Sequence, residues 1–249
     1  MLRRQSFPAS IPAFYINLDR DLARREILER ELLMAGISAA RISAVDGRTL
    51  PEWLLPFYDD RMGPGEVGCS ASHLTICKAI LETGLPFALV LEDDARIESD
   101  CLAAIESAVQ MAPRNWDVIR LIETSSRPFQ VVAQIGGGRS IVRYLRVPRS
   151  TTGLVISASG AEKLLTPRLV NEPIDVEIRW PWQLDLNVYG IEPPPVTQAS
   201  GIDLETTIPV RSRPQKRNQI RRMIFNVRKM GIANYLSCCF NVGRAASQL

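Results

Sequence analysis

Three consecutive carboxylates, Glu92, Asp93 and Asp94, directly follow the apolar run from Phe87 to Leu91. A short apolar run of this kind predicts a strand that is buried on both faces, in the centre of a parallel or mixed sheet. Open α/β sheets bind ligands at the carboxyl ends of their strands, which is where these acids lie. Adjacent carboxylates repel one another, and a divalent cation such as Mg²⁺, Ca²⁺ or Mn²⁺ would offset that repulsion. We therefore interpret the triplet as a candidate metal site; the alternative is a solvated acidic loop before a helix.

The segments around this strand alternate between strand and helix patterns. Further strands are predicted at residues 13–18, 40–45, 117–122, 153–157 and 188–191, with a hairpin over residues 129–147. Helices are predicted at residues 22–35, 73–83, 100–111 and 159–165. Residues 63–72 are predicted to form a loop, so that His73 begins the next helix, and residues 173–195 are predicted to be irregular around their strand. The alternation predicts an α/β sandwich.

Several other functional motifs are incomplete in this sequence. Gly68 to Ser72 lacks the closing glycine of a nucleophile elbow, and the glycines at positions 136–138 begin neither a P-loop nor a dinucleotide fingerprint. His73 is the only histidine, and the five cysteines have no Cys-x-x-Cys spacing, which argues against zinc. We interpret His73 as a structural, hydrogen-bonded residue.

The charge of the chain is concentrated at its C-terminal end. The net charge is +3, but Thr206 to Leu249 contains nine basic residues and no acidic one. A basic amphipathic helix is predicted there, with Ile220, Met223, Ile224 and Val227 on one stripe. The sequence therefore predicts a body over residues 1–210 and a basic helical tail over residues 211–249. The tail either packs on the body or binds an anionic membrane surface.

The sequence also indicates a compartment. It contains no apolar run of about 18 residues and no apolar segment typical of a signal peptide near its N-terminus. The number of cysteines is odd, which is typical of free thiols in a reducing cytosol. We expect a cytoplasmic protein, peripheral on the inner face of the cell membrane. Nucleic acid is not an expected partner, because Phe225 and Tyr235 are too few aromatics near the tail for base stacking.

Short motifs between about Ile11 and Pro195 occur in an order that resembles glycosyltransferase family 25, the lipopolysaccharide-biosynthesis galactosyltransferases and their collagen-modifying relatives. The motifs are Ile16–Arg20 with Arg24, Ala44–Gly47, Gly65–His73, Leu91–Asp94, Gly160–Leu164 and Pro173–Asp175. The resemblance implies a GT-A fold, that is, a Rossmann-type α/β/α sandwich with a mixed central sheet. It further implies a UDP-sugar donor, usually UDP-galactose, a manganese or magnesium ion, and inversion to a β-linkage on a lipopolysaccharide, lipooligosaccharide or other glycan acceptor.

The resemblance also implies roles for individual residues. The metal-binding element of the family maps onto the acidic triplet, with Asp94 as the direct ligand and Asp93 and Glu92 on the metal or the ribose. The general base would be Asp175, which matches the family's Pro-Ile-Asp, or the nearby Asp185. The remaining donor-binding candidates follow the first two strands, and they would hold uracil or diphosphate or orient that pocket. They are Asn17, Asp19, Arg24 and Asp46.

Departures from the family pattern leave the donor sugar and the acceptor open. Ala23 stands where an acid usually precedes the arginine, and Trp180-Pro-Trp182 follows the candidate base. Two alternative functions remain. One is a non-catalytic, membrane-associated descendant of the same fold. The other is a sugar nucleotidyltransferase, although the sequence around Asn17 lacks the glycines and lysine that a triphosphate site would need.

Overall fold

The computed structural model describes residues 10–122, 128–199 and 219–245 of the chain. The described residues contain ten strands, two of which form a separate antiparallel pair. The strands are β1 (Ala13–Asn17), β2 (Ala40–Ser43), β3 (Phe87–Glu92), β4 (Ala95–Ile97), β5 (Val118–Arg120), β6 (Phe129–Ile135), β7 (Arg139–Tyr144), β8 (Gly153–Ser157), β9 (Val188–Glu192) and β10 (Val196–Gln198). Eight of them form one mixed sheet in the order β2-β1-β3-β8-β5-β9-β7-β6, and β4 pairs with β10.

Helices cover both faces of the large sheet. They are α1 (Leu22–Met34), α2 (Pro64–Glu82), α3 (Cys101–Met111), α4 (Ala158–Leu164), α5 (Ile174–Arg179), α6 (Gln219–Met230) and α7 (Ile232–Ala245), with 3₁₀ turns at Glu52–Phe57 and Pro181–Gln183. One apolar cluster joins α2, α4 and α5 to the sheet, and a second joins α1 and α3 to the opposite face. The predicted α/β class is therefore confirmed.

Strand β3 occupies the interior position that its sequence predicts. Residues Phe87 to Leu91 are all buried. The strand pairs in parallel with β1, where Ile16 lies opposite Glu92, and antiparallel with β8, where Leu91 lies opposite Gly153. The three acids therefore emerge beside the carboxyl end of β1 and the amino end of β8.

The loop predicted at residues 63–72 is wrong, because this segment forms the first half of α2. Pro64 occupies the first helical turn, where its missing N–H costs nothing, and the Glu66 carboxylate accepts a hydrogen bond from the backbone N–H of Gly63 at 2.8 Å. Gly68 lies against the backbone carbonyl of Val45. The glycines therefore permit close packing of the helix rather than a turn, and His73 lies in mid-helix instead of at its start.

The regions after β8 hold further differences from the prediction. Ser157, rather than Ser159, caps α4 by accepting a hydrogen bond from the N–H of Gly160 at 3.0 Å. Residues 173–195, predicted to be irregular around a strand, contain α5 as well as β9. Proline-rich composition hid this helix, although Pro173 immediately precedes its first residue, a position that proline tolerates.

The C-terminal helices contact the body through an unpredicted face. On α6 the buried side chains are Phe225, Asn226 and Met230, and the Asn226 amide donates to the carbonyl of Leu145 at 2.8 Å. The predicted boundary at residues 210 and 211, and the basic residues 211–217, lie outside the described residues. None of the described helices has the length and apolar character that crossing a bilayer requires.

Candidate active site

An open cleft lies at the carboxyl ends of β1 and β3. Its walls come from the segments that follow β1 and β2, the first turns of α2, and the residues after β3. Six of the predicted site residues line it, and they are Asn17, Arg24, Asp46, Glu92, Asp93 and Asp94. The parallel pairing of β1 with both β2 and β3 brings these distant segments together.

Asp93 is held on one wall of the cleft by two donors. The Asn17 side-chain amide donates to Asp93 Oδ2 at 2.8 Å, and Arg24 Nη2 lies 2.5 Å from Asp93 Oδ1. Burial raises the pKa of Asp93, while Asn17 and Arg24 act in the opposite direction because they favour the charged form. Asp93 is therefore a largely desolvated carboxylate that depends on its partners for its charge.

Asp94 has one oxygen engaged and one oxygen available. Its Oδ2 accepts from the side-chain amide of Gln198 at 2.7 Å and lies 3.6 Å from Arg24 Nη2. Its Oδ1 is buried and has no hydrogen-bond partner among the described residues. A buried carboxylate oxygen without a partner is costly unless a ligand satisfies it. Asp94 thus offers a ligand atom in the position where the sequence predicts a direct metal ligand.

Glu92 belongs to a polar cluster at the floor of the cleft. Its Oε1 accepts from the Thr151 hydroxyl at 2.7 Å and lies 3.6 Å from both Cys69 Sγ and His73 Nε2. His73 Nδ1 donates to the backbone carbonyl of Cys69 at 3.0 Å, so that in the neutral ring the Nε2 lone pair faces Glu92. Burial raises the pKa of Glu92, the proximity of Asp94 adds to this, and His73 opposes it.

The loop at residues 149–152 connects this cluster to the predicted base. The fully buried Arg120 holds the loop, with Nη1 donating to the carbonyl of Ser150 at 2.7 Å. Thr151 then contacts Glu92, and the backbone N–H of Ser150 is hydrogen-bonded to Asp175. Asp175 lies in the first turn of α5, and burial raises its pKa. Neighbouring residues of one loop therefore contact the acidic triplet and Asp175.

Three predicted site residues do not line the cleft: Asp175, described above, and the more exposed Asp185 and Asp19. Asp185 is half-exposed and forms an ion pair with Lys229 of α6 at 3.0 Å. Asp19 is mostly exposed, and its carboxylate pairs with Arg41 of β2. Asp46 lines the cleft, and its Oδ1 accepts from the N–H of Arg48 at 2.9 Å. The structure therefore brings Asp46 to the cleft but brings neither Asp185 nor the Asp19 side chain there.

The sequence model of the family described as "Glycosyltransferase family 25 (LPS biosynthesis protein)" matches residues 10–177. The chain belongs to glycosyltransferase family 25. Over 183 residues it is 33% identical to procollagen galactosyltransferase 1 of Danio rerio, covering 66% of this chain and 30% of that protein. Over 189 residues it is 31% identical to "Inactive glycosyltransferase 25 family member 3" of Mus musculus, covering 69% of this chain and 31% of that protein. The matched part of this chain thus covers about a third of the length of these relatives.

Solved structures resemble the chain more distantly. A crystal structure of a glycosyltransferase involved in the glycosylation of the major capsid of PBCV-1 is 12% identical, with a TM-score of 0.36 over 62% of this chain and 63% of that one. A crystal structure of A197 from STIV is 12% identical, with a TM-score of 0.41 over 72% of this chain and 81% of that one. These similarities are too weak to indicate function.

Two sets of donor atoms in this family 25 cleft fit a cation. Asp93 and Asp94 offer carboxylate oxygens, which suit Mn²⁺ or Mg²⁺, and the partnerless Asp94 Oδ1 is consistent with such a ligand. Cys69, His73 and Glu92 form a second set, with ligand atoms within 4.8 Å of one another. This second set is softer, and desolvation raises the pKa of the half-buried Cys69 thiol. The carboxylate set fits a hard cation better.

Sequence reasoning missed several residues of the site. Gln198 reaches Asp94 from β10, and Thr151 reaches Glu92 from the loop before β8. Neither residue has a local sequence signal, because each is brought to the cleft from a distant part of the chain by the tertiary fold. His73 carried a signal as the only histidine, but the helix start assigned to it hid its position on the cleft floor.

Proposed function

We propose that this chain is a metal-dependent glycosyltransferase that moves a sugar, galactose, from UDP-galactose onto a glycan or glycolipid acceptor. The observation that carries the proposal is the buried, partnerless Oδ1 of Asp94 beside Asp93 and Arg24, at the carboxyl ends of β1 and β3. Membership of glycosyltransferase family 25 supports the reaction class. A procollagen galactosyltransferase among the relatives supports galactose as the donor sugar.

The cleft contains groups suited to a nucleoside diphosphate. Arg24 lies in the first turn of α1, and its Nε–H is buried without a hydrogen-bond partner among the described residues. A guanidinium with an unused donor is well suited to a phosphate oxygen. Asn17 and Asp46 line the same cleft and would contact the uridine portion. Glu92 and Asp93 are placed to contact the ribose or a metal ion.

A divalent cation, Mn²⁺ or Mg²⁺, would be held by Asp94 with Asp93 or Glu92. When bound, it would neutralise the charge of the departing diphosphate. Burial raises the pKa values of Asp93 and Glu92, so a nearby cation would also favour their charged forms. Arg24 and Asn17 meanwhile orient the Asp93 carboxylate, and Gln198 orients that of Asp94.

Asp175 is our candidate for the general base, which takes the proton of the acceptor hydroxyl during attack on the anomeric carbon. Burial raises its pKa, which brings it closer to the operating pH and makes the carboxylate a stronger base. The backbone N–H groups of Ser150 and Val176 favour its charged form and so oppose this rise in pKa. A single displacement with a separate base inverts the anomeric centre, giving a β-linkage from an α-linked donor. A lipopolysaccharide or lipooligosaccharide acceptor is the proposal we favour.

A non-catalytic descendant is the second candidate function. Its support is that relatives 31% identical to this chain are named inactive. The presence in this chain of Asp94, Asp93 and Asp175, with an unsatisfied ligand atom on Asp94, favours the enzyme. A sugar nucleotidyltransferase is less consistent with the cleft, because the described residues of its walls include no lysine for a triphosphate.

A screen of UDP-sugars tests the enzyme proposal. We expect Mn²⁺-dependent release of UDP, fastest with UDP-galactose, and loss of release in excess chelator. Asp94→Asn, which keeps the shape but removes the charge, should abolish release while the protein remains folded by circular dichroism. Asp59→Asn, on a surface pair with Arg61, is the matched control and should retain full activity. Full activity in chelator, or wild-type release by Asp94→Asn, would refute the metal role. Donor binding without any release would favour the non-catalytic descendant.

A further inference from the structure

Helices α6 and α7 carry large apolar side chains on their exposed surface. The exposure of these side chains ranges from 45% at Met223 to 75% at Phe240. Six side chains form this surface, which we call the apolar ridge: Ile220, Met223, Ile224, Ile232, Leu236 and Phe240. Six large, exposed apolar side chains on two consecutive helices indicate an interaction surface rather than scattered exposure.

The apolar ridge faces away from the body. On α6 the ridge residues recur at helical spacing from Ile220, whereas Phe225, Asn226 and Met230 form the buried face that contacts the body. On α7 the ridge residues recur every four positions from Ile232, and the buried Cys238 lies on another side. Both helices therefore already pack on the body through a different face. No described residue buries the apolar ridge.

The surface around the ridge is strongly cationic. The described residues of α6 and α7 contain basic residues and no acidic one. Arg221 and Arg228 are exposed, whereas Lys229 pairs with Asp185 of the body. A partner for this region must be both apolar and anionic.

We propose that α6 and α7 form a docking surface for an anionic lipid bilayer, on which the protein lies. The apolar ridge would enter the boundary between headgroups and acyl chains, and Arg221 and Arg228 would contact lipid phosphates. A second copy of the chain fits less well, because a symmetric interface on this surface would bring the same cations against one another. The proposal goes beyond the sugar-transfer reaction and requires neither donor nor metal.

Vesicle sedimentation of the full chain tests this proposal. We expect binding to vesicles of phosphatidylcholine mixed with phosphatidylglycerol, no binding to phosphatidylcholine alone, and weaker binding as salt rises. Each arginine near such a surface contributes roughly fivefold in affinity, so Arg221→Gln with Arg228→Gln should weaken binding roughly thirtyfold. The matched control is Arg30→Gln with Arg114→Gln, two exposed arginines of the body, which should leave binding unchanged.

The ridge itself is tested by a second pair of substitutions. Ile224→Ser with Phe240→Ser should weaken binding about tenfold or more, because less apolar surface enters the bilayer. Leu33→Ser with Met34→Ser removes two apolar side chains of α1 that are at least as exposed, and it should have no effect. Equal sedimentation with neutral and anionic vesicles, or no sedimentation with either, would overturn the proposal. So would a stable dimer in analytical ultracentrifugation that Phe240→Ser dissociates. Loss of sugar transfer would not bear on these outcomes, because binding is measured without donor.

Discussion

The contact between Gly68 and the segment after β2 offers a test of how the fold positions the cleft. A methyl carbon added at Gly68 would lie 2.5 Å from the backbone oxygen of Val45 and 3.2 Å from the nitrogen of Gly47. Both neighbours are backbone atoms, so no side-chain rotation relieves the overlap. Ordinary contact begins at 3.4 Å, so Gly68→Ala should push α2 and this segment apart by about 0.9 Å.

That displacement would occur inside the cleft. Cys69 and His73 on α2 line its floor, and Val45 and Gly47 line its wall. A shift of about 1 Å in a site costs up to roughly a hundredfold in rate, so we expect transfer per folded molecule to fall by about ten- to a hundredfold. Overpacking costs about 1–3 kcal/mol, and alanine recovers about 1 kcal/mol of helix propensity. The free energy of unfolding should therefore fall by no more than about 2 kcal/mol.

Gly160→Ala is the matched control for this experiment. Gly160 is also a helical glycine, and its added methyl carbon would lie 2.2 Å from the backbone oxygen of Asp117, on α4 and outside the cleft. Chemical denaturation would measure the stability of both variants, and UDP calorimetry with UDP-galactose turnover would measure the site. We expect both variants to be destabilised and only Gly68→Ala to lose UDP affinity and turnover. Equal losses per folded molecule in the two variants would refute the positioning argument.

Two further predictions concern Asp175 and the docked helix. Because burial raises the pKa of Asp175 and the base must be deprotonated, turnover should fall as the pH drops through that raised pKa. Asp175→Asn should remove this pH dependence and lower turnover about a hundredfold or more at unchanged UDP affinity. If turnover of Asp175→Asn still falls at low pH as in the wild type, Asp175 is not the base. Asn226→Ala removes a part-buried hydrogen bond to the carbonyl of Leu145, at a cost of about 0.5–1.5 kcal/mol, and should speed amide exchange across α6. Asn234→Ala should not, because its amide donates to the carbonyl of Met230 at the end of α6 and not to the body. Equal exchange in the two variants would contradict this role of Asn226.

The sheet was predictable because its signals are local. Strand β3 appears as an apolar run ended by acids, and β8 as another apolar run, and both are fully or almost fully buried. Helix α1 ends before Gly36, whose φ of +67° suits glycine and terminates the helix as the sequence predicts. These features follow from side-chain burial and backbone freedom within a few residues, so no knowledge of distant partners is needed.

The errors arose where distant contacts decide the local structure. The segment from Gly63 to Ser72 has loop-like composition, yet Pro64 to Ser72 are helical, and Gly68 permits close approach to the backbone of Val45 rather than a turn. The tail shows the same limit. Periodicity identified α6 and its apolar stripe but left open whether that stripe packs on the body. In the structure Phe225 contacts Trp182 of the body, whereas Ile220 and Ile224 of the stripe are exposed. Local pattern cannot reveal which of two faces finds a partner.

The charges in the cleft indicate why a cation and a phosphate ligand would bind together. Glu92, Asp93 and Asp94 bring three carboxyl groups to one place, and Arg24 supplies one neighbouring positive charge. Arg24 lies in the first turn of α1, where the helix dipole disfavours a cation, so its position is explained by the acids rather than by the helix. A diphosphate alone would meet excess negative charge, and burial already raises the pKa values of Glu92 and Asp93. A divalent cation on Asp94 would remove that excess and leave Arg24 available for phosphate, so each ligand should increase affinity for the other by the same factor.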